Sequence, residues 1–309
     1  MSGIDFSFAI VNWNTCALLD RCLASIVANT GDFRVQILVA DNASSDGSVE
    51  MVRTNYPHVE LVQHERNLGF AAGHKPLFEL SRGRYHVLVN SDVCLLAGCL
   101  ERLHKRLEMD PKIGVLGCCI LDEHKQVQAS CRRFPSLAYQ LIEASGLNRV
   151  FPRHPLFRGY KMGDFDGLSS RRVDQVMGSF FLIRRELIEA VGTLDTAFFM
   201  YYEEVDYCLR CYAAGYHVFY EADARIIHEG GGSSKMVKTL TIRRTMRSMR
   251  TYFRKNHGAW TWLPLMVAVS LDVVTHVFHA LIGRAPFLAT LKAYLLGWWD
   301  FLTFKRADL

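Results

Sequence analysis

The first 120 residues predict an α/β fold, a mostly parallel sheet with helices on both faces, on three observations. Short apolar, β-rich runs alternate with segments whose apolar residues recur at helical spacing. Polar clusters follow directly from three of those runs, where α/β sheets of this kind bind ligands. The chain has 309 residues, 50% hydrophobic and 22% charged with a net charge of +5. That composition excludes a disordered chain and supplies a sizeable core.

Taken in order, the pattern predicts a strand over 6–11 and a helix over 18–28, with Leu18, Leu19, Cys22, Leu23 and Ile26 on one side. Strands follow at 35–40, 59–63, 85–89 and 113–121, separated by helices at 48–55, 71–80 and 99–109. Residues 132–172, with Pro135, Pro152, Pro155 and several arginines, break the pattern and read as a long excursion over the active face. Order returns with a strand at 173–183, helices at 185–191 and 203–214, and a strand at 217–220. Residues 1–240 are therefore expected to form one domain. Nine cysteines show no disulfide or zinc pattern, and the lone pair Cys208 and Cys211 is expected in the core. The first residues carry no signal-peptide pattern, so a cytoplasmic, reduced setting is expected.

Residues 241–309 differ. Ile242, Met246, Met249 and Phe253 recur at helical spacing beside a stripe of Arg243, Arg247, Arg250 and Arg254. No Lys or Arg occurs from 256 to 283; apolar segments opened by Trp260 and Trp262 and carrying Trp298 and Trp299 flank a turn at 283–286. A basic amphipathic helix followed by an apolar helical hairpin points to membrane association, peripheral or monotopic, on the cytoplasmic side. Asp272, His276 and His279 form a polar stripe and Lys292 interrupts the second segment, which suits an interfacial helix or a protein-facing seam. The alternative is packing on the preceding domain, which reads as complete, so a chain ending near 257 is expected to fold.

Four clusters carry chemistry. Asp41, opening Asp41-Asn42-Ala43-Ser44-Ser45-Asp46-Gly47-Ser48, sits where a carboxylate can accept the N3–H of a uracil or thymine; the alternative is a turn capped by Asp46 and Ser48. Asn67-Leu68-Gly69-Phe70-Ala71-Ala72-Gly73 brings backbone N–H groups toward a nucleotide, but it is not the dinucleotide fingerprint. Asn90-Ser91-Asp92 ends a strand and suits Mg²⁺ or Mn²⁺, with His228 and the glycines after it completing a metal–diphosphate site; a structural role for His228 is the alternative. Glu203, Glu204 and Asp206 open a helix, where acidic residues are favoured in any case. Asp206 has Arg210 four residues on, and a crowded carboxylate among the three is a candidate general base.

In order along the chain, VNWNT, DNASSDGS, NLGFAAG, VNSDV, VMGSFFLIRRE, FFMYYEEVDYCLR and HEGGGSS resemble the family-2 inverting glycosyltransferases, most closely their rhamnosyltransferase-like branch, over roughly 6–255. The resemblance implies a GT-A fold, a nucleoside-diphosphate-sugar donor and Mg²⁺ or Mn²⁺. It implies Asp41 as the base-binding residue, with Asn12, Asn14, Asn42, Asn67, Gly69, Asn90 and Ser91 around the nucleotide sugar. Asp92 and His228 would be metal ligands, and Arg132, Arg133, Gly178 and Arg243 would lie on the acceptor or diphosphate side. The family usually has Glu-Asp before Val-Asp, with that Asp as base; Glu204 holds its position here, one methylene longer, with Glu203 and Asp206 as neighbours able to serve. His74-Lys75 is a second departure.

The expected activity is transfer of L-rhamnose from dTDP-rhamnose, or of a sugar from a UDP donor, to a lipid-linked or oligosaccharide acceptor in cell-surface polysaccharide synthesis. A catalytically inactive membrane adaptor on the same scaffold is the alternative. Nucleic-acid binding, suggested by the basic run 243–255, is not expected, because that run carries no zinc or RNA-binding motif and leads into apolar helices.

Overall fold

The structure is a computed structural model that describes residues 3–147, 151, 154, 159–229, 238–281 and 287–303. Its elements run β1 (Phe6–Asn12), α1 (Cys16–Ala28), β2 (Val35–Asp41), α2 (Ser48–Asn55), β3 (Glu60–Gln63), α3 (Gly69–Leu80) and β4 (Tyr85–Asn90). There follow β5 (Val93–Leu95), α4 (Cys99–Met109), β6 (Ile113–Leu121), β7 (Cys131–Arg132), α5 (Leu137–Ser145), β8 (Arg171–Arg172), β9 (Gln175–Val176) and β10 (Phe180–Arg184). The chain closes with α6 (Arg185–Val191), α7 (Glu203–Ala213), β11 (His217–His228), α8 (Lys238–His257), α9 (Trp262–Leu281) and α10 (Phe287–Thr303).

The main sheet has the order β3-β2-β1-β4-β10-β6-β11-β5, with β8 also on β11. β1, β2, β3, β4, β6 and β11 point one way, whereas β10, β5 and β8 run against them. Among the described residues β7, α5, β8 and β9 lie between β6 and β10, and β10 then runs back from the carboxyl edge, with Phe180 opposite Val89 of β4. The strand expected over 173–183 divides accordingly: Gln175–Val176 pairs with β7 in a separate ribbon, and β10 enters the main sheet. β11 runs on to His228, far past the expected end at 220, because it pairs with β6 and then with β5.

Side-chain alternation builds two core layers. Phe6, Phe8 and Ile10 of β1 face α1 and α4 through Leu19, Leu23 and Leu103, while Ala9, Leu38 and Leu88 face the α3, α6 and α7 side with Leu77, Leu187 and Tyr207. Cys208 and Cys211 are free thiols buried in this second layer.

A third cluster joins the C-terminal helices to the rest. Met246, Met249 and Phe253 of α8 meet Leu265 and Val269 of α9 and Phe301 of α10, together with Phe198 and Val205. The arginine stripe is not a solvated face. Arg243 and Arg247 both reach the buried carboxylate of Asp300, Arg247 at 2.8 Å, and Arg250 donates to the carbonyl of Phe301. The expectation of a chain that folds when ended near 257 is thus corrected: the buried Asp300 ties α10 to α8, and the apolar cluster, through Phe198 and Val205, ties these helices to the domain. The polar stripe of α9 turns inward as well, with Asp272 3.1 Å from His276 and the His276 ring stacked on Tyr294 of α10 at 4.4 Å. The side chain of His279 and the turn 283–286 lie outside the described residues. The opposite face of α9 and its approach is apolar and open, with Trp260, Val274 and Phe278 exposed at 68%, 64% and 59%.

Candidate active site

Three loops at the carboxyl edge of the parallel strands form the donor end. Pairing of β1 with β2 puts Asn12 opposite Asp41, and the Asn12 amide donates to Asp41 Oδ1 at 3.0 Å. The N–H of Ser44 donates to Asp41 Oδ2 at 2.8 Å, and Thr15 donates to Asn12 Oδ1 at 2.6 Å while its hydroxyl lies 2.8 Å from that of Ser91. Asn14, at φ 52°, accepts from the N–H of Ser45, and Asp46 caps the turn by accepting from Ser48 and from the N–H of Cys16. Both sequence readings of this loop thus meet in one network. Asp41 is buried, and each of its carboxylate oxygens accepts one of these hydrogen bonds, which leaves lone pairs for a base N3–H.

In front of that network lies a cavity of about 350 Å³. Asn42, Asn67, Gly69, Asn90, Ser91 and Gly178 line it. Asn42 donates to the carbonyl of Gly69 at 3.0 Å, and Asn67 Oδ1 accepts from the N–H of Gly69 at 2.9 Å. Gly69 is required here: φ is +81°, and a Cβ would stand 2.2 Å from the carbonyl oxygen of Phe199.

Asp92 and His228, distant in sequence, meet at this cavity with Oδ1 and Nε2 3.2 Å apart. Pairing of β5 with β11 makes the meeting, setting His228 opposite Val93. The separation fits a shared divalent cation, since ligands about 2.1 Å from a metal at adjacent octahedral corners lie about 3 Å apart. One carboxylate oxygen and one imidazole are a donor set that Mn²⁺ and Mg²⁺ accept. Among the described residues no group of three or more His, Cys, Asp or Glu side chains surrounds a point, so substrate oxygens or water would complete the shell. The loop 230–234, read with His228 as part of this site, lies outside the described residues.

Tyr201 and Tyr202 both have left-handed backbone, φ 69° and 70°, and this turn starts α7 with Glu203 and Glu204 at the cavity. Such strain costs on the order of 1–3 kcal/mol per residue. It is held by the N–H of Asp206 on the Tyr202 carbonyl, by Ser248 on the carbonyl of Met200, and by the Tyr202–Tyr252 ring contact. Glu203 Oε2 and Glu204 Oε2 are both buried without a hydrogen-bond partner among the described residues. Burial, and then the neighbouring Glu204 charge, pushes the Glu203 carboxyl well above the usual carboxylate range; burial raises Glu204 too.

Asp206 is different. It is fully buried, faces α8, and holds Arg210 at 3.0 Å, Lys255 at 2.8 Å and Asn256 at 3.2 Å. Its candidacy as base is corrected, because Arg210, Lys255 and Asn256 hold it on the side of α8 and it does not line the cavity. Arg243 is likewise corrected: its salt bridge to Asp300 turns it from the site. Arg132 lines a second cavity beyond Glu204, and Arg133 is exposed on the surface. His74 is a buried neutral imidazole, pulled down to about 4 by burial and bonded to the carbonyl of Phe70.

Sequence reasoning missed Arg244. It lines the donor cavity, its guanidinium lies 4.3 Å from the centre of the Phe199 ring, and its Nε is buried without a partner among the described residues. The arginine stripe was read one position too early; 100° round the helix, residue 244 faces the site while 243 faces α10. Phe199 and Met177 also line the cavity, and nothing in their local pattern marks them.

A GT-A fold with a paired Asp–His and buried glutamates lining one cavity defines a glycosyltransferase scaffold. The chain belongs to glycosyl transferase family 2, whose model matches residues 7–192. It is 29% identical over 258 residues to the N-acetylglucosaminyl-diphospho-decaprenol L-rhamnosyltransferase of Mycobacterium tuberculosis, covering 80% of this chain and 83% of that one. It is 23% identical over 261 residues to the rhamnosyltransferase WbbL of Escherichia coli, covering 81% and 91%. In structure it resembles a mannosyltransferase from Pyrobaculum calidifontis in complex with GDP-Man and Mn²⁺, with a TM-score of 0.58, 16% identity, and 97% and 87% coverage. It also resembles GalNAc-T7 with UDP, GalNAc and Mn²⁺, with a TM-score of 0.55, 14% identity, and 97% and 56% coverage.

Proposed function

We propose that this chain is an inverting transferase that moves L-rhamnose from dTDP-rhamnose to a hydroxyl of a lipid-linked glycan at the cytoplasmic face of the membrane. The observation that carries this reading is one cavity lined both by the Asp92–His228 pair and by glutamates whose Oε2 atoms have no partner among the described residues. The names of the two rhamnosyltransferase relatives support the sugar, and that of the mycobacterial one supports the acceptor.

In this mechanism the loops of Asn42, Asn67 and Asn90 hold the nucleotide sugar, and Arg244 meets its diphosphate. A divalent cation bound by Asp92 and His228 would neutralise that diphosphate as it leaves. Glu204 accepts the proton of the acceptor hydroxyl, whose oxygen attacks the anomeric carbon as the bond to the diphosphate oxygen breaks on the opposite side. One displacement inverts the configuration. Burial raises the proton affinity of Glu204, and Glu203 beside it is raised by burial and by the Glu204 charge. The open apolar face of α9, with Trp260 and Trp299 beside it, is read as the membrane contact, lying in the interface plane.

The test is incubation of the purified chain with dTDP-rhamnose, UDP-sugars and an N-acetylglucosaminyl diphosphate lipid, with Mn²⁺ or Mg²⁺. Mass spectrometry should find a deoxyhexose added from dTDP-rhamnose only, and NMR an inverted anomeric centre. Donor binding without transfer or hydrolysis across the panel would favour the inactive adaptor.

A further inference from the structure

Beyond Glu204 the structure contains a second cavity, of about 450 Å³, within the usual range for small-molecule sites of ~300–1,000 Å³. It is not a continuation of the sheet's ligand edge. The excursion contributes Gln140 and Tyr160, α8 contributes Thr245 and Met249, and α9 closes it with Ala268 and Asp272. Glu204, Tyr201, Met177 and Thr241 line both cavities, so the two meet at the carboxylate with the unpartnered Oε2.

We propose that this second cavity is the acceptor subsite and that it takes a neutral sugar ring. This rests on the transferase reading and names the part of the acceptor that enters. Three features select the ligand. The lining is largely apolar, with tyrosine rings and methionines suited to the C–H faces of a sugar, and Gln140 and Gln175 supply amides for its hydroxyls. Apart from Glu204, its ionic groups are engaged with neighbouring side chains or with backbone: Glu143 is held by Lys161 at 3.2 Å, Asp272 lies 3.1 Å from His276, and Arg132 donates to the carbonyls of Ala129 and Cys131 at 2.7 Å. A diphosphate finds the cations there already engaged, so that part of a lipid-linked acceptor stays outside. Finally, α9 closes the cavity with one face while its other face is exposed and apolar, which puts the sugar site one helix away from the surface that would meet lipid.

Saturation-transfer NMR with methyl glycosides of N-acetylglucosamine, glucose, galactose and rhamnose tests this without requiring turnover. At least one glycoside should show ring-proton saturation in the wild type. The signal should fall at least fivefold in Gln140→Ala and in Thr245→Trp, which fills the cavity from α8. Binding of dTDP, measured in the same samples, should be unchanged, and this also reports that the variants are folded. In turnover assays both variants should raise the acceptor KM about tenfold with the donor KM unchanged. The proposal is overturned if no glycoside is saturated while dTDP binds, or if both variants keep the wild-type signal. Loss of dTDP binding in the wild type would instead count against the transferase reading on which it rests.

Discussion

Glu203 and Glu204 are adjacent on one helix, yet they differ in what the structure lets them do. Glu204 touches both cavities, whereas Glu203 lines only the donor side and is almost fully enclosed. Glu204→Gln should therefore keep donor affinity and lower kcat by about 10²-fold or more, the usual loss for a removed general base. Because burial raises both carboxyls, the acid limb of the rate profile should lie above the ordinary carboxylate range, with activity rising as pH increases through it. The same shift has a stability consequence of defined sign. A carboxyl whose folded pKa lies above its unfolded value stabilises most when protonated, and that contribution is lost as pH rises through the folded value. Glu203→Gln, which stays neutral, should melt higher than the wild type at pH 7–8, with the difference closing toward about pH 4. Arg244 carries a third expectation. Burial pulls its guanidinium below the ordinary value, a cost that an anion beside it relieves. Replacing Arg244 with Met should weaken dTDP binding by about 1.5–3 kcal/mol in calorimetry, the range for hydrogen bonds to charged groups.

At the scale of elements, legibility followed sequence distance. β1, β2 and β4 showed themselves because each is an apolar run buried on both faces, and α1 because its apolar residues repeat at helical spacing. β5, β7 and β9 have two or three residues each and exist only through partners far along the chain, which no local pattern reveals. The site divides the same way. Asp92 and His228 were legible as chemistry, but their convergence depends on the β5–β11 pairing. Asp41 and Asp206 were legible as carboxylates, while Asn12, which donates to Asp41, and Lys255, which holds Asp206, come from other elements. That pairing makes a metal prediction: Mn²⁺ should tighten dTDP binding to the wild type, and His228→Ala should abolish that increment while metal-free affinity persists. Gly69 gives a backbone test. Gly69→Ala forces a side chain into the Phe199 carbonyl at a positive φ, so chemical denaturation should show a loss of about 1–3 kcal/mol, with weakened dTDP binding.

Across the whole molecule, the helices that read as an appendage in sequence are part of the fold. Composition separates them from the domain; Asp300 joins α10 to α8, and the Lys255–Asp206 pair joins α8 to the domain. Burial works against the charge of Asp300, but hydrogen bonds from Arg243 and Arg247 outweigh it and hold the carboxyl below its usual range. Truncation after His257 removes that carboxylate together with Leu265, Val269 and Phe301. It takes Asp300 from Arg247 and the Phe301 carbonyl from Arg250, and uncovers Met246, Met249 and Phe253. Breaking a buried ion pair on one side costs about 3–5 kcal/mol, a large part of the 5–15 kcal/mol that stabilises a typical domain. The truncated chain should consequently aggregate or melt far below the full chain. Membrane contact is accordingly better tested on the outer face alone. Trp260, Val274 and Phe278 are exposed and take no part in the apolar cluster that binds the helices to the domain. Changing all three to Ser should leave the melting temperature within about 2 °C of the wild type, as expected for surface substitutions. It should also markedly reduce flotation with anionic lipid vesicles, because binding to an interface scales with buried apolar area. Unchanged flotation of a folded triple variant would move the membrane contact away from α9.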